Sequence, residues 1–399
     1  MVATAAPVST TESQRFLVLG LCFATIVFDG YDLIVYGSVV PALLDYGPWG
    51  LTPQRVGNIG SLALAGMLIG ALAVGALTDL IGRRKVLLGC LVWFSVAMGI
   101  CAVAPNAGVF AAARFLAGLG LGGVMPTTVA LTVEYAPADR HHRYNAVMFS
   151  GYSVGGILAA LLAIWFLPDY GFRFLFGLGM LPLVTVVPLA WRFLPESRQF
   201  KAATKRALPR GLFSPSKLTA SVLFPLASFC GLLLVYGLNT WLPKIMQKAG
   251  YPLTSSLAFL VMLNVGAVIG AVSGSAVADR LGAKPVTAAG FVVAAGAVLL
   301  MSRGLSVGTL YFVVAAAGLG SVGTQILLNG YVASYYGADH RASALGWTLG
   351  IGRLGAILGP TVGGWLLASS LGVDWNFYTF AIAAATGAAL VLCVPPGRD

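Results

Sequence analysis

The sequence predicts an all-α membrane protein of twelve transmembrane helices, arranged as two parallel six-helix lobes. Three observations predict it. The 399 residues are 58% hydrophobic and only 9% charged, whereas a soluble domain carries about a quarter charged residues, so most of the surface must face lipid. Twelve apolar stretches approach or exceed the ~20 residues that cross a ~30 Å hydrocarbon core. The second half of the chain also repeats the first at a constant offset of 200 residues.

The spans run in order over 16–43, 56–78, 86–104, 108–134, 144–166, 172–194, 218–246, 256–278, 286–302, 308–335, 342–367 and 376–394. A β-barrel would need alternating ~10-residue segments with a polar lumen face, and the apolar runs here are continuous. A short polar tail, 1–15, precedes the first span. It carries no small-residue cleavage site behind a short apolar core, so no cleavable signal peptide is expected. The longest polar interruption, PESRQFKAATKRALPRGLFSPSK at 195–217, separates a lobe at 16–194 from a lobe at 218–394, and a tail at 395–399 follows.

The formal net charge is +11. With the N-terminus cytoplasmic, seventeen of the 24 Lys and Arg fall in or beside cytoplasmic segments, and five (Arg55, Arg173, Lys244, Lys248, Arg303) fall outside. That bias puts both termini inside the cell and makes the basic charge a topology signal, with no nucleic-acid partner required. The five cysteines lie in apolar spans and form no CxxC pair, so neither a disulfide nor a metal site is expected. No cofactor motif stands out.

The repeat pairs GALTDLIGRRK (75–85) with SAVADRLGAKP (275–285) and AGLG (117–120) with AGLG (317–320). It also pairs Tyr36-Gly37 with Tyr236-Gly237, Gly155 with Gly355 and Trp165 with Trp365. One offset held over most of the chain signals internal duplication. Six spans per half is an even number, so the second half re-enters in the same orientation, and a binding site near the midplane between the lobes follows from that architecture. Intramembrane charge is where the copies disagree: Asp29 aligns with Phe229, Asp32 with Leu232, Arg114 with Val314, Glu134 with Ser334 and Arg353 with Ser153.

These residues carry a resemblance. GALTDLIGRRK is similar to the loop signature between spans two and three of the major facilitator superfamily, and RFLAGLG (114–120) to its span-four signature. DGYD (29–32), YGLNTWLP (236–243) and GIGRLGAILGP (350–360) resemble the aromatic acid:proton symporter branch of that superfamily. The second loop copy departs from the first in carrying Ala283 where the first has Arg83. The resemblance implies uptake of an aromatic carboxylate, of the benzoate or hydroxybenzoate class, with protons across a bacterial inner membrane. A carrier of another organic anion, or an exporter, is the alternative. Exporting relatives usually carry a Gly-Pro signature in span five, where this chain reads GYSVGGILAALL.

Asp29 and Asp32 stand three apart near the middle of span one, on one helix face. A central Asp costs about 2.5–3.5 kcal/mol to insert, and an intramembrane acid marks function by default. Loss of water and a second nearby carboxylate both favour a site that binds a proton, so the pair reads as proton-coupling, with Asp32 the favoured carrier, through Asp29. A structural ion pair with a buried Arg is the competing reading. Arg353, midway along span eleven, suits the planar carboxylate of the substrate. Arg114 reads as an ion-pairing or proton-coupling residue. Glu134 ends span four, about 30 Å along the helix from Arg114; it is counted with the proton-coupling candidates, and an interfacial pairing with Arg140 or Arg143 is the plainer reading of it.

Tyr36, Tyr236, Asn239, Trp241, Gln325, Asn329 and Trp347 are candidate walls and polar groups for the substrate ring. Each aromatic among them is equally explained as packing or as an interface anchor. Gly75, Asp79, Arg83 and Arg84 read as conformational control at the cytoplasmic gate. GLGLGG (118–123) and GYSVG (151–155) match a dinucleotide fingerprint and a nucleophile elbow in letters only. Neither has the strand–turn–helix context those motifs need, and tight helix packing explains both. No nucleophile–base set is present, so no enzyme is expected.

Overall fold

The computed structural model describes residues 12–136, 141–195, 214, 217–336 and 338–396. The first lobe comprises α1 (Glu12–Asp45), a 3-10 turn (Gly47–Trp49), α2 (Pro53–Ile81), α3 (Arg83–Val103), α4 (Ala107–Tyr135), α5 (His141–Leu178), α6 (Leu181–Val184) and α7 (Val186–Phe193). The second comprises α8 (Leu218–Lys248), α9 (Leu253–Leu281), α10 (Ala283–Met301), α11 (Val307–Gly318), a π turn (Leu319–Gly323), α12 (Thr324–Tyr335), α13 (Ala338–Ala368) and α14 (Asp374–Cys393).

Local chemistry sets the helix ends. Thr52, Asn106 and Ser306 cap α2, α4 and α11 by accepting the N–H of the residue three further on, which satisfies a donor the helix leaves orphaned. Gly82 and Gly282 turn the chain from α2 into α3 and from α9 into α10 at φ 94° and 89°, a backbone region that suits glycine.

Among the described residues eleven helical stretches are long and apolar enough to cross a membrane. The sixth predicted span, 172–194, is present but segmented. Gly171 (φ 70°) breaks α5 between spans five and six. Pro182 and Pro188 then divide the remainder into the end of α5, α6 and α7, because each proline lacks an N–H and clashes with the carbonyl four residues before it. Span ten, predicted as one helix over 308–335, is interrupted by the π turn in its glycine-rich centre.

Within each lobe the helices meet at glycines, and the repeat recurs in space. A Cβ at Gly66, Gly70 or Gly118 would stand 2.2, 2.1 or 1.9 Å from a carbonyl oxygen of the facing helix in the α2–α4 pair. At Gly266, Gly270 and Gly318, 200 residues on, the distances are 1.9, 2.6 and 1.8 Å in the matching pair. Trp165 and Trp365 are both exposed, at matching positions. Gly118→Val is therefore expected to cost about 1–3 kcal/mol by overpacking, read as a lowered unfolding midpoint in detergent. Gly89→Ala, where a Cβ would meet nothing within 4 Å, should leave that midpoint in place.

The lobes meet along three seams: α2 against α13, α5 against α9, and α1 against α8. The offset of 200 exchanges the first two. The first seam holds Gly57 and Gly60 against Pro360, and Ser61 bonded to the Ile357 carbonyl and to Thr361 Oγ1 (2.7 Å), which reaches Asn58. In the third, Gly37 lies on the Asn239 backbone, and Lys244 Nζ pairs with Asp45 Oδ1 at 3.3 Å. These bonds all lie at the end of the bundle remote from the chain termini.

Candidate functional site

The two aspartates of α1 are both 0% exposed, yet their surroundings differ. A three-residue step on a helix turns the side chain by most of a circle, leaving the two some 60° apart. That angle sends Asp32 into the first lobe and Asp29 toward the second. Asp32 Oδ1 accepts from Arg114 Nη1 at 2.7 Å, and the guanidinium lies over the rings of Tyr36 (5.2 Å) and Phe176 (5.6 Å). Both charges are desolvated, and the cation faces aromatic planes, an environment in which a guanidinium is held well. Both oxygens of Asp29, by contrast, are buried without a hydrogen-bond partner.

Three further groups surround Asp29. Arg353 on α13 is the cation that acts on it, and Tyr236 on α8 faces both. Tyr152 on α5 faces Tyr236 and Asp29. Glycines make the approach possible. A Cβ at Gly30, beside Asp29, would stand 2.0 Å from the Tyr152 carbonyl oxygen, and one at Gly355 would stand 2.1 Å from that of Phe229. So α5 lies on α1 and α13 on α8 at the level of the charges. Arg353 is half-buried and, among the described residues, makes no hydrogen bond or ion pair. Asp29 and Tyr152 come from one lobe, Tyr236 and Arg353 from the other. A buried, underpaired set of this kind has the composition of a site for an anion and a proton.

The remaining predicted residues fall in several places. Tyr36 donates to the Val56 carbonyl and underlies Arg114, and is 2% exposed, so its side chain is occupied in holding the buried pair. Trp241 is 0% exposed, donating to the Pro360 carbonyl at 2.7 Å in the α8–α13 packing. Trp347 donates to the Ser221 carbonyl near the start of α8, away from Asp29. Tyr36 and Trp241 belong to the frame, because a buried indole or phenol is drawn to whatever carbonyl is free, and the partly exposed Trp347 is likewise tied to a backbone carbonyl. Gln325 donates to Ser228 Oγ inside the second lobe, and its Oε1, like Asn329 Oδ1, is buried and unpartnered.

Asn239 Nδ2 bonds back to Val235. Its Oδ1 accepts from Asn264 of α9, a residue sequence reasoning passed over although it is the one strongly polar side chain in LAFLVMLNVGAVIGAV. Tyr152 was passed over as well, because its motif is explained by packing. Glu134 is held by Arg83 at 3.1 Å, a partner the expected pairing with Arg140 or Arg143 did not include; the side chains of those two arginines lie outside the described residues. Glu134 thus sits with the loop signature and far from Asp29. Arg84 bonds to the Trp191 carbonyl. Gly75 and Asp79 are on α2, with the Asp79 side chain outside the described residues.

The family model described as Major Facilitator Superfamily matches residues 21–302 and 262–399, nearly the whole chain. The chain belongs to the major facilitator superfamily. Within the superfamily its curated relatives include transporters of aromatic acids. It is 41% identical over 379 residues to a gentisate transporter of Corynebacterium glutamicum, covering 91% of this chain and 84% of that one. It is 37% identical over 412 residues to a benzoate transport protein of Acinetobacter baylyi, covering 94% and 88%. Among solved structures, a D-xylose-proton symporter shares the fold at TM-score 0.79 and 17% identity, covering 96% of this chain and 98% of that one. The chain is accordingly a membrane transporter of the aromatic acid branch of the superfamily and not an enzyme.

Proposed function

We propose that the protein imports an aromatic carboxylate in symport with protons, by alternating access, across a bacterial inner membrane with both termini in the cytoplasm. The observation that supports this most is a guanidinium and a carboxylate, Arg353 and Asp29, each buried or half-buried without a bonding partner among the described residues where the lobes meet. Arg353 takes the substrate carboxylate as a bidentate pair. Asp29 takes the proton. Asp32, the residue favoured from sequence, is engaged by Arg114, so the role of carrier passes to its neighbour and the Asp32–Arg114 pair supports the frame. Tyr236, Asn239 with Asn264, Gln325 and Asn329 line the ring. One monoanion moving with one proton transfers no net charge, so the pH difference alone drives it.

With the termini inside, the bonded seams of Ser61, Thr361 and Lys244 close the outer end, and this state opens inward. Arg83 with Glu134, Arg84, Gly75 and Asp79 then control the cytoplasmic end. The names of the relatives, gentisate and benzoate transporters, support the choice of substrate class. Proteoliposomes given labelled gentisate, benzoate and 4-hydroxybenzoate under an imposed pH gradient test the proposal. Accumulation of at least one that collapses with the gradient is expected; accumulation of none would favour another organic anion, and outward movement an exporter. Arg353→Gln is expected to raise the KM for substrate exchange by roughly ten- to a hundredfold, the worth of a hydrogen-bonded charge pair. Arg353→Lys should recover only part of it, because a lysine lacks the planar fork.

A further inference from the structure

We infer that Tyr152 is the coupling residue of this transporter: its hydroxyl is shared between Asp29 and the substrate carboxylate, so that tight substrate binding waits for Asp29 to be protonated. The inference rests on the reading of Asp29 and Arg353 given above. Tyr152 is 9% exposed and its hydroxyl oxygen is buried; the group that comes nearest to bonding it is the Tyr236 hydroxyl across the seam, just short of full hydrogen-bonding geometry. The groups that face it are Tyr236, Asp29 and Asp32. Asp29 in turn faces Asp32 along α1 and Arg353 across the seam. The two unpartnered oxygens of Asp29 and a phenol held only by its approach to Tyr236 are therefore buried together.

A buried hydroxyl without a partner is costly, and so is a buried carboxylate without one. The phenol has one O–H to give. While Asp29 is ionised, its carboxylate is the strongest acceptor that faces the phenol, and a bond there stabilises the empty site. Once Asp29 carries a proton it no longer competes as a charged acceptor. The Tyr152 O–H then turns to the carboxylate held by Arg353, beside the Tyr236 hydroxyl that it already approaches. The proton stays on Asp29 throughout; Tyr152 transfers none and only redirects its donor. The α5–α1 contact at Gly30 fixes the tyrosine backbone beside Asp29, so the choice is made by rotation of the phenolic hydrogen and a small shift of the ring. Tyr152 acts as a positioning residue, one that links the protonation of the first lobe to the affinity of the second.

The test is the pH profile of the KM for substrate exchange in proteoliposomes with equal pH on both sides. In the unaltered protein, affinity should tighten as pH falls and Asp29 fills, by roughly ten- to a hundredfold for a bond to a charged group. Tyr152→Phe keeps the ring and removes the donor. It should flatten that profile and weaken gradient-driven accumulation more than exchange. Tyr236→Phe serves as the comparator and should shift the profile without flattening it. Asp29→Asn provides a reading that does not depend on recovering the tyrosine variant: its exchange KM should be independent of pH and close to the low-pH value. A Tyr152→Phe profile parallel to that of the unaltered protein, or weaker by the same factor at every pH, would overturn the inference, as would loss of all substrate binding in Asp29→Asn. Failure of the unaltered protein to move any aromatic acid would instead overturn the function itself.

Discussion

Asp29→Asn is expected to abolish gradient-driven accumulation of the aromatic acid while leaving substrate exchange within a few-fold of the unaltered rate. One proton per anion allows about a tenfold concentration ratio for each unit of pH difference, and a side chain that cannot take up or release a proton has no access to that source. Exchange of substrate for substrate needs no net proton movement, and asparagine mimics the protonated form in size and charge. It also removes a carboxylate whose oxygens are both buried without partners, so the variant should insert and fold. The measurement is paired: labelled uptake against a pH gradient, and labelled counterflow without one. Accumulation equal to that of the unaltered protein would remove Asp29 from the proton path.

Arg114→Leu should destabilise the protein by about 3–5 kcal/mol, the penalty for leaving one member of a buried ion pair alone. Arg114 and Asp32 are 1% and 0% exposed and 2.7 Å apart, enclosed by Tyr36, Phe176 and Met98. Removing the cation strands Asp32 in apolar surroundings and leaves the two aromatic faces empty. The double variant Asp32→Asn with Arg114→Leu removes the uncompensated charge and should recover most of the loss, because a pair replaced as a whole is often near neutral. Unfolding midpoints in detergent would check both variants. Equal losses in single and double variants would show that packing, and not charge, dominates at this place.

A large part of the molecule could be read from the chain. The apolar runs, the offset of 200 and the charges at which the copies disagree led to twelve spans, two lobes and the residues Asp29, Asp32, Arg114 and Arg353, because a bilayer punishes every unmatched charge and leaves few explanations for one. The segmentation of the sixth span was legible in Pro182 and Pro188, but the length of its apolar run concealed it. Tyr36, Trp241 and Trp347 were ambiguous in the chain, because an aromatic side chain serves a pocket, an interface and a bundle core equally well.

What the sequence by itself determined is therefore the membrane architecture, the duplication and the places where charge is held against the cost of lipid. Those follow from composition and periodicity, which act on each segment separately. Only the tertiary structure decided which aspartate meets Arg114 and which stays unpaired, that Tyr152 and Tyr236 enclose the unpaired one, and that Glu134 goes to Arg83. Those pairings depend on the angle at which one helix lies on another, set here by glycines such as Gly30 and Gly355 that let backbones touch. A one-dimensional pattern tells which face of a helix a residue occupies, but not which helix comes to meet that face.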